Sequence, residues 1–185
     1  MIRNEVTDAI ANRRSIRKYT SRPVSDGELE TILECGMLAP SGMNTQQWFV
    51  AAVRSPALLR EISARQKEAV LAMPNLPPVM KERAEDPAFD ATFGAPVLLL
   101  VTTDSPRGGG DACLLGENMV LAAQSLGLGT CISGSVTMAF QGEKGKALLA
   151  KLGVPEGHAP VFGITLGEPA EAPEAKPREK KFVIV

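Results

Sequence analysis

The sequence predicts an α+β sandwich in which helices outweigh strands. Four short apolar runs, at residues 48–53, 95–102, 130–133 and 160–166, have the length and composition of strands. Between them lie segments whose apolar residues recur every three or four positions, as on one face of a helix. The chain has 185 residues and no internal repeat, a size that suits one domain able to bury its core without disulfides or a structural metal.

The elements follow in order. Residues 4–14 read as a short helix through Val6, Ala9, Ile10 and Arg13. Ser25 and Glu28 form a capping box, after which Leu29, Ile32, Leu33 and Met37 mark a helix that Pro40 stops. A loop over residues 41–44 leads into the strand 48–53. Residues 56–72 are helical by pattern, with Leu58, Leu59, Ile62 and Val70 inward. Residues 73–94 break the pattern with Pro74, Pro77, Pro78 and Pro87, and Lys81, Glu82, Arg83, Glu85 and Asp86 keep them wet, so they read as an excursion. The unbroken apolar run at 95–102 predicts a buried strand. The helix at 111–127 is apolar on most sides and must be covered by the rest of the domain or by a second subunit. A strand at 130–133, a helix at 144–152 and a strand at 160–166 complete the series. The tail over 168–181, rich in Pro, Ala, Glu and Lys, is expected to lie extended on a surface, yet it ends in the apolar Phe182-Val183-Ile184-Val185.

Composition excludes several functions. A net charge of −1 gives no global field for nucleic acid. The N-terminal residues lack the apolar core of a signal peptide, and the apolar run at 95–101 is far shorter than the roughly 20 residues of a membrane helix, so the chain is expected to be cytoplasmic. Cys35, Cys113 and Cys131 lack metal-ligand spacing and read as reduced core thiols; with a single histidine, His158, read as a loop residue, no metal site is expected.

Three segments could carry chemistry. Arg13-Arg14-Ser15-Ile16-Arg17 offers three guanidinium groups and a hydroxyl, donors suited to a phosphate dianion, although read alone it is more simply a charged helix end. In Pro40-Ser41-Gly42-Met43-Asn44-Thr45-Gln46-Gln47-Trp48, small residues permit close approach to a planar ligand, and Asn44 and Gln46 both donate and accept; read alone, it is an ordinary polar connection. Gly127-Leu128-Gly129-Thr130 follows a helix and precedes a strand, the reverse of a dinucleotide fingerprint, but amides near Ser133 and Gly134 could still face a ligand. No nucleophile elbow is present.

Taken in order, these segments resemble the nitroreductase family of FMN-dependent oxidoreductases. The resemblance runs from about residue 10 to 178 and is most specific at R-R-S-I-R (13–17) and P-S-G-M-N-T-Q-Q-W (40–48). The run L-A-A-Q-S-L-G-L-G-T (121–130) and Lys176-Pro177-Arg178 support it. It implies a three-layer sandwich, a central, mainly antiparallel sheet flanked by helices, in an intertwined homodimer with FMN at the subunit interface. Residues 1–167 would form the single FMN-binding domain, with 73–94 a small lid whose Met73, Met80, Phe89 and Phe93 could line a pocket. Residues 168–185 would wrap the partner subunit.

The resemblance also implies roles. Arg13, Arg14 and Ser15, with Lys176 and Arg178 returning from the tail, would meet the phosphate and ribityl chain. Arg17 would supply a cation near the ring. Ser41, Gly42, Asn44 and Gln46 belong to the loop lent by the partner chain, and Cys131, Ile132, Ser133 and Gly134 would lie beside the ring and its reactive N5. Two departures stand out: Gln47 replaces a frequent Pro, and Ser133 replaces an acidic residue of some relatives, which leaves the choice between NADH and NADPH open. No side chain need act as acid or base, because the cofactor carries the chemistry. The implied activity is ping-pong hydride transfer from NAD(P)H through FMN to nitroaromatics, quinones or similar small acceptors. Alternatives are a specialised flavin enzyme of the same fold (a dehalogenase, an azoline oxidase or a flavin-destroying enzyme) or a non-catalytic flavin-binding protein.

Overall fold

The computed structural model describes residues 2–185; Met1, with which the expected domain begins, lies outside the described residues. Four antiparallel strands, β1 (Trp48–Val53), β2 (Val97–Thr103), β3 (Gly129–Ser133) and β4 (Ala159–Gly167), form one sheet in the order β1-β2-β4-β3. The central β2 is buried along its whole length, as its unbroken apolar run requires.

Helices cover both faces. On one side lie α2 (Asp26–Met37) and α5 (Gly109–Ser125), which bury Leu29, Ile32, Leu115, Met119 and Val120 against Val97, Leu99, Ile164 and Leu166. On the other, α3 (Pro56–Leu71), α6 (Gly142–Lys151) and a 3-10 turn (Ser135–Phe140) bury Leu59, Ile62, Val136 and Leu148 against Leu98 and Leu100. Adjacent β2 residues thus feed opposite cores, the period-two alternation of a strand. The result is the three-layer α+β sandwich expected from the sequence. The layers close tightly around α5: a Cβ added at Gly36 would sit 2.6 Å from Met119 Cγ, and one at Gly116 would sit 2.6 Å from Phe162 Cζ.

The capping box is present as read, with Ser25 accepting from the Glu28 N–H and Glu28 accepting from the Ser25 N–H at 2.8 Å. Three details depart from the sequence reading. The excursion contains a helix of its own, α4 (Pro78–Glu85), started by a proline at its first turn, where a missing N–H costs nothing. The first helix, α1 (Glu5–Asn12), buries none of its residues, and Val6 and Ile10 remain exposed. Of the three cysteines expected in the core, Cys131 is buried and Cys35 half-buried, but Cys113 is exposed. It stands one position beyond the buried Ala112 and shares the outer side of α5 with Leu114 and Glu117. Among the described residues no helix is long and apolar enough to cross a membrane.

Candidate active site

The basic run begins where α1 stops. Arg13 leaves helical geometry while its N–H still donates to Ala9, and Arg14 folds its guanidinium back to donate 2.8 Å bonds to the carbonyls of Ala11 and Arg13. Arg14 therefore does serve as a helix-end cation, offsetting carbonyls that α1 leaves unpaired. The chain then turns extended and is pinned on both sides. Ser15 bridges Thr130, and the Ile16 N–H donates to Thr130 O at 2.9 Å. Across from β3, the Arg17 N–H donates to Glu171 Oε1 at 2.5 Å, Ala170 N–H to Lys18 O at 2.9 Å, and Thr20 N–H to Glu168 O at 3.0 Å. Residues 15–20 thus lie between the start of β3 and the returning tail.

Tyr19 fastens this layer from below. Its hydroxyl lies 2.7 Å from Thr165 Oγ1 and donates to the Ile16 carbonyl at 2.7 Å. Burial pushes the phenol above its ordinary range, so it stays a neutral donor.

Between run and tail opens a cleft of about 400 Å³. One wall is Arg13, Arg14, Ser15 and Arg17; the other contains Glu174, Lys176 and Arg178. Five cations thus face one carboxylate, a donor set that suits a phosphate ester dianion such as the end of FMN. The sequence placed Lys176 and Arg178 with the arginines, and the structure brings all six of these basic and hydroxyl residues to one cleft.

The strand end expected beside the ring adjoins this wall. Cys131 is buried, and burial pushes its thiol up while nearby Arg17, Ser15, Arg13 and Arg83 pull it back down. Ser133, two residues on, shares the Cys131 face of β3, whereas Ile132 points away and is largely exposed. Gly134 follows at the exposed turn. Above Arg17 sits Phe93 of the excursion, its ring centroid 5.9 Å from the Arg17 guanidinium and 5.5 Å from that of Arg83. Phe93 adopts a left-handed φ of 56°, and Asp90 supports the turn by accepting from the N–H groups of Thr92 and Gly94 at 2.8 and 2.7 Å. Of the four expected lid residues, Phe89 and Phe93 are half-buried, while Met73 and Met80 are exposed.

The loop 41–46 is elsewhere. Met43, Asn44 and Gln46 have φ of 52°, 55° and 50°, a left-handed geometry that side chains other than Asn rarely adopt. Ser41 Oγ holds it by accepting from the Gln46 N–H at 3.0 Å, and Gln46 Nε2 donates to Asn44 Oδ1 at 3.1 Å. The Gly42 N–H donates to Asp111 Oδ2 at 3.1 Å. Asp111 lies in the first turn of α5, whereas the basic run flanks Gln124 and Gly127 at its far end. At 1.5 Å per residue, those ends are roughly 20 Å apart. Within one chain, Ser41, Gly42, Asn44 and Gln46 therefore do not join the cleft that holds the arginines.

Sequence reasoning named Phe93 as a lid residue but missed Tyr19, Arg83 and Asp111, whose pairings with Thr165, Phe93 and Gly42 no local pattern announces. His158, read as a loop residue, precedes β4, with Nδ1 3.1 Å from Thr102 Oγ1 and its ring edge-on to Phe49. Among the described residues no cluster of His, Cys, Asp or Glu could hold a metal.

A family model described as the nitroreductase family matches residues 10–168. The chain is 31% identical over 186 residues to the FMN reductase [NAD(P)H] of Bacillus subtilis, covering 95% of this chain and 70% of the relative. A Bacteroides fragilis nitroreductase solved with bound FMN superposes with a TM-score of 0.88 at 32% identity, over 99% of this chain and 100% of the other. A Desulfitobacterium hafniense nitroreductase, also with bound FMN, gives a TM-score of 0.91 at 30% identity, with 100% of both chains covered.

Proposed function

Because the chain belongs to the nitroreductase family, we propose that the cleft between residues 13–17 and the tail receives the phosphate end of FMN. The protein is an NAD(P)H-dependent FMN oxidoreductase. The observation that carries the site reading is the convergence of Arg13, Arg14, Ser15 and Arg17 with Lys176 and Arg178, 159 or more positions away in sequence, on one cleft beside the start of β3. FMN held in this cleft would supply the redox chemistry that links the nicotinamide to a second substrate.

The residues of the chain do the rest. Arg13, Lys176 and Arg178 neutralise the phosphate, and Ser15 adds a hydroxyl donor. Arg14 fixes the end of α1 so that the run keeps its path along β3. Arg17, on the Cys131 side of the run, places a fixed positive charge toward the ring, which favours added electron density there. Cys131, Ile132, Ser133 and Gly134 form the strand end against which the ring lies. Nitroaromatics, quinones and related small acceptors are the proposed second substrates.

The functional unit is a homodimer. Ser41, Gly42, Asn44 and Gln46 lie about 20 Å from their own cleft by the rise of α5, so the loop serves a site only if it is lent to a second copy. The exposed Leu114 on α5, the exposed Met43 and the uncovered Phe182–Val185 end of the tail supply apolar surface for that contact. The tail folds back on its own chain through Ala170, so its wrap around the partner falls to the end beyond Arg178. Three free cysteines suit a reducing, cytoplasmic compartment.

The test is direct. The purified protein is expected to carry oxidised-flavin absorbance at one FMN per chain, to sediment as a dimer, and to oxidise NAD(P)H with a quinone or nitroaromatic in parallel-line ping-pong kinetics. A colourless protein that binds inorganic phosphate but takes up no FMN would defeat the reading.

A further inference from the structure

One polar group in the core is not used by anything described so far. Gln66, on α3, is only 5% exposed, in the layer that packs on the 3-10 turn Ser135–Phe140. Its Nε2 donates to Ser135 Oγ at 3.1 Å, and Ser135 Oγ lies 3.2 Å from Ser133 Oγ. Its Oε1 has no partner. Burying an amide with one end unmade is costly, more so than placing a methionine of similar volume there. The amide's function therefore lies in the bond it does make.

That bond has a direction. Rotating the amide by half a turn would set its carbonyl against Ser135 and leave the two-donor NH₂ unpaired, and orphaned donors are rarer in proteins than orphaned carbonyl oxygens. With Nε2 donating, Ser135 Oγ accepts, and the Ser135 proton is free to go to Ser133 Oγ. Ser133 then has no proton acceptor within the row, so its own proton points out of it. Ser133 stands on the same face of β3 as Cys131, the face toward Ser15 and Arg17. A second bond holds the turn that carries the row, Thr137 Oγ1 donating to the Gly134 carbonyl at 2.8 Å.

We propose that Gln66 is a positioning residue which fixes the direction of the row Gln66–Ser135–Ser133, so that Ser133 offers a proton rather than a lone pair to the FMN ring. The inference rests on the FMN reading of the cleft. It gives Ser133 a role that an acidic residue at this position could not fill. A hydroxyl donor beside the ring favours the electron density gained on reduction, whereas a carboxylate would oppose it.

The experiment is a cycle of flavin midpoint potentials in the FMN-loaded wild type, Gln66→Met, Ser133→Ala and the double variant, with FMN affinity followed by fluorescence quenching. Gln66→Met is expected to shift the reduced-to-oxidised equilibrium about tenfold toward the oxidised form, the size of one lost hydrogen bond. Ser133→Ala should shift it at least as far, and the double variant should match Ser133→Ala alone, because Gln66 acts only through Ser133. FMN affinity should change little in Gln66→Met, because Gln66 lies outside the cleft. Should Gln66→Met fail to fold, Ser135→Ala breaks the row at an exposed position and is expected to give the same shift, absent again in the Ser133→Ala background. An unchanged potential in flavin-loaded Gln66→Met or Ser135→Ala, or a shift that persists when Ser133 is Ala, overturns the proposal while leaving the FMN reading intact. A wild-type protein that takes up no FMN removes both.

Discussion

Two regions of this chain bear the proposed site, and they are built in opposite ways. The basic run 13–20 is held by long-range bonds, backbone to backbone with Thr130 on one side and with Glu168 and Ala170 on the other, and from the Arg17 N–H to the Glu171 carboxylate, and it adopts ordinary extended geometry. The loop 41–46 keeps three residues in left-handed geometry and is tied to the rest of the fold by Asp111. Strained backbone persists where the surroundings over-determine it, and it gathers at ligand clamps. On the proposed dimer reading the difference is a division of labour: the run is a fixed anion wall for its own cleft, while the loop is a shaped clamp lent to the second copy.

Removing the wall should have the largest effect. Each charge-assisted bond to phosphate contributes roughly 1.5–3 kcal/mol, so Arg13→Ala with Arg178→Ala should weaken FMN on the order of 10²–10⁴-fold. Fluorescence titration of the apo-protein measures it, and an affinity within about threefold of wild type would be too small a loss for even one such bond.

The clamp is best tested across subunits. Asp111→Ala releases Gly42 from a carboxylate and should weaken FMN about tenfold. Mixed dimers sharpen the contrast, with Arg13→Ala on one chain and Asp111→Ala on the other. If each site takes its wall from one chain and its clamp from the other, one site carries both defects and the other carries none. Titration should then find one wild-type site per dimer. Two weakened sites, each with one defect and neither at wild-type affinity, would mean that wall and clamp come from the same chain.

Much of this was legible in the sequence because it is local. The Ser25–Glu28 capping box marks α2 through bonds spanning three residues, and the apolar run of β2 declares a strand buried on both faces. The basic run and the distant Lys176 and Arg178 could be grouped only through a family resemblance, since spacing alone cannot bring residue 176 back to residue 13. What stayed hidden depends on exposure or on unlike partners. Cys113 is apolar in character, yet it lies one step off the buried stripe of α5. Gln66 looks like a surface residue of an amphipathic helix until the turn after β3 packs over it. Nor could the sequence say that α5 holds the clamp and the wall at its two ends.

Arg17 probes the inner edge of the wall. Its guanidinium lies over Phe93 and acts on Cys131, at the inner edge of the cleft that it also lines. Arg17→Ala should leave most FMN bound while lowering the flavin midpoint potential, by about a factor of ten in the reduced-to-oxidised equilibrium. Spectroelectrochemistry of the flavin-loaded variant decides it: an unchanged potential would return Arg17 to the phosphate-binding group.

The smallest effect concerns what fastens the wall, and it depends on pH. Arg22 closes an ionic clasp between three segments, with Nη2 2.9 Å from Glu28 Oε1 at the start of α2 and Nε 3.0 Å from Glu168 Oε1 at the start of the tail. Arg22, then the Ser25 N–H and hydroxyl, hold Glu28 down from 4.5 to about 2. A carboxyl depressed in the folded state stabilises the fold fully above its unfolded value and loses that contribution as pH falls through the folded one. Glu28→Gln keeps the shape of the cap but not its charge, and should cost about 1 kcal/mol at neutral pH, the scale of one helix cap. The gap between wild type and Glu28→Gln in urea unfolding should be full above pH 4.5 and close toward pH 2. At pH 3 the variant and wild type should therefore differ less than at neutrality. A Glu28→Gln deficit that stays constant from pH 6 to pH 2 would mean that the wall is fastened without this carboxylate's charge.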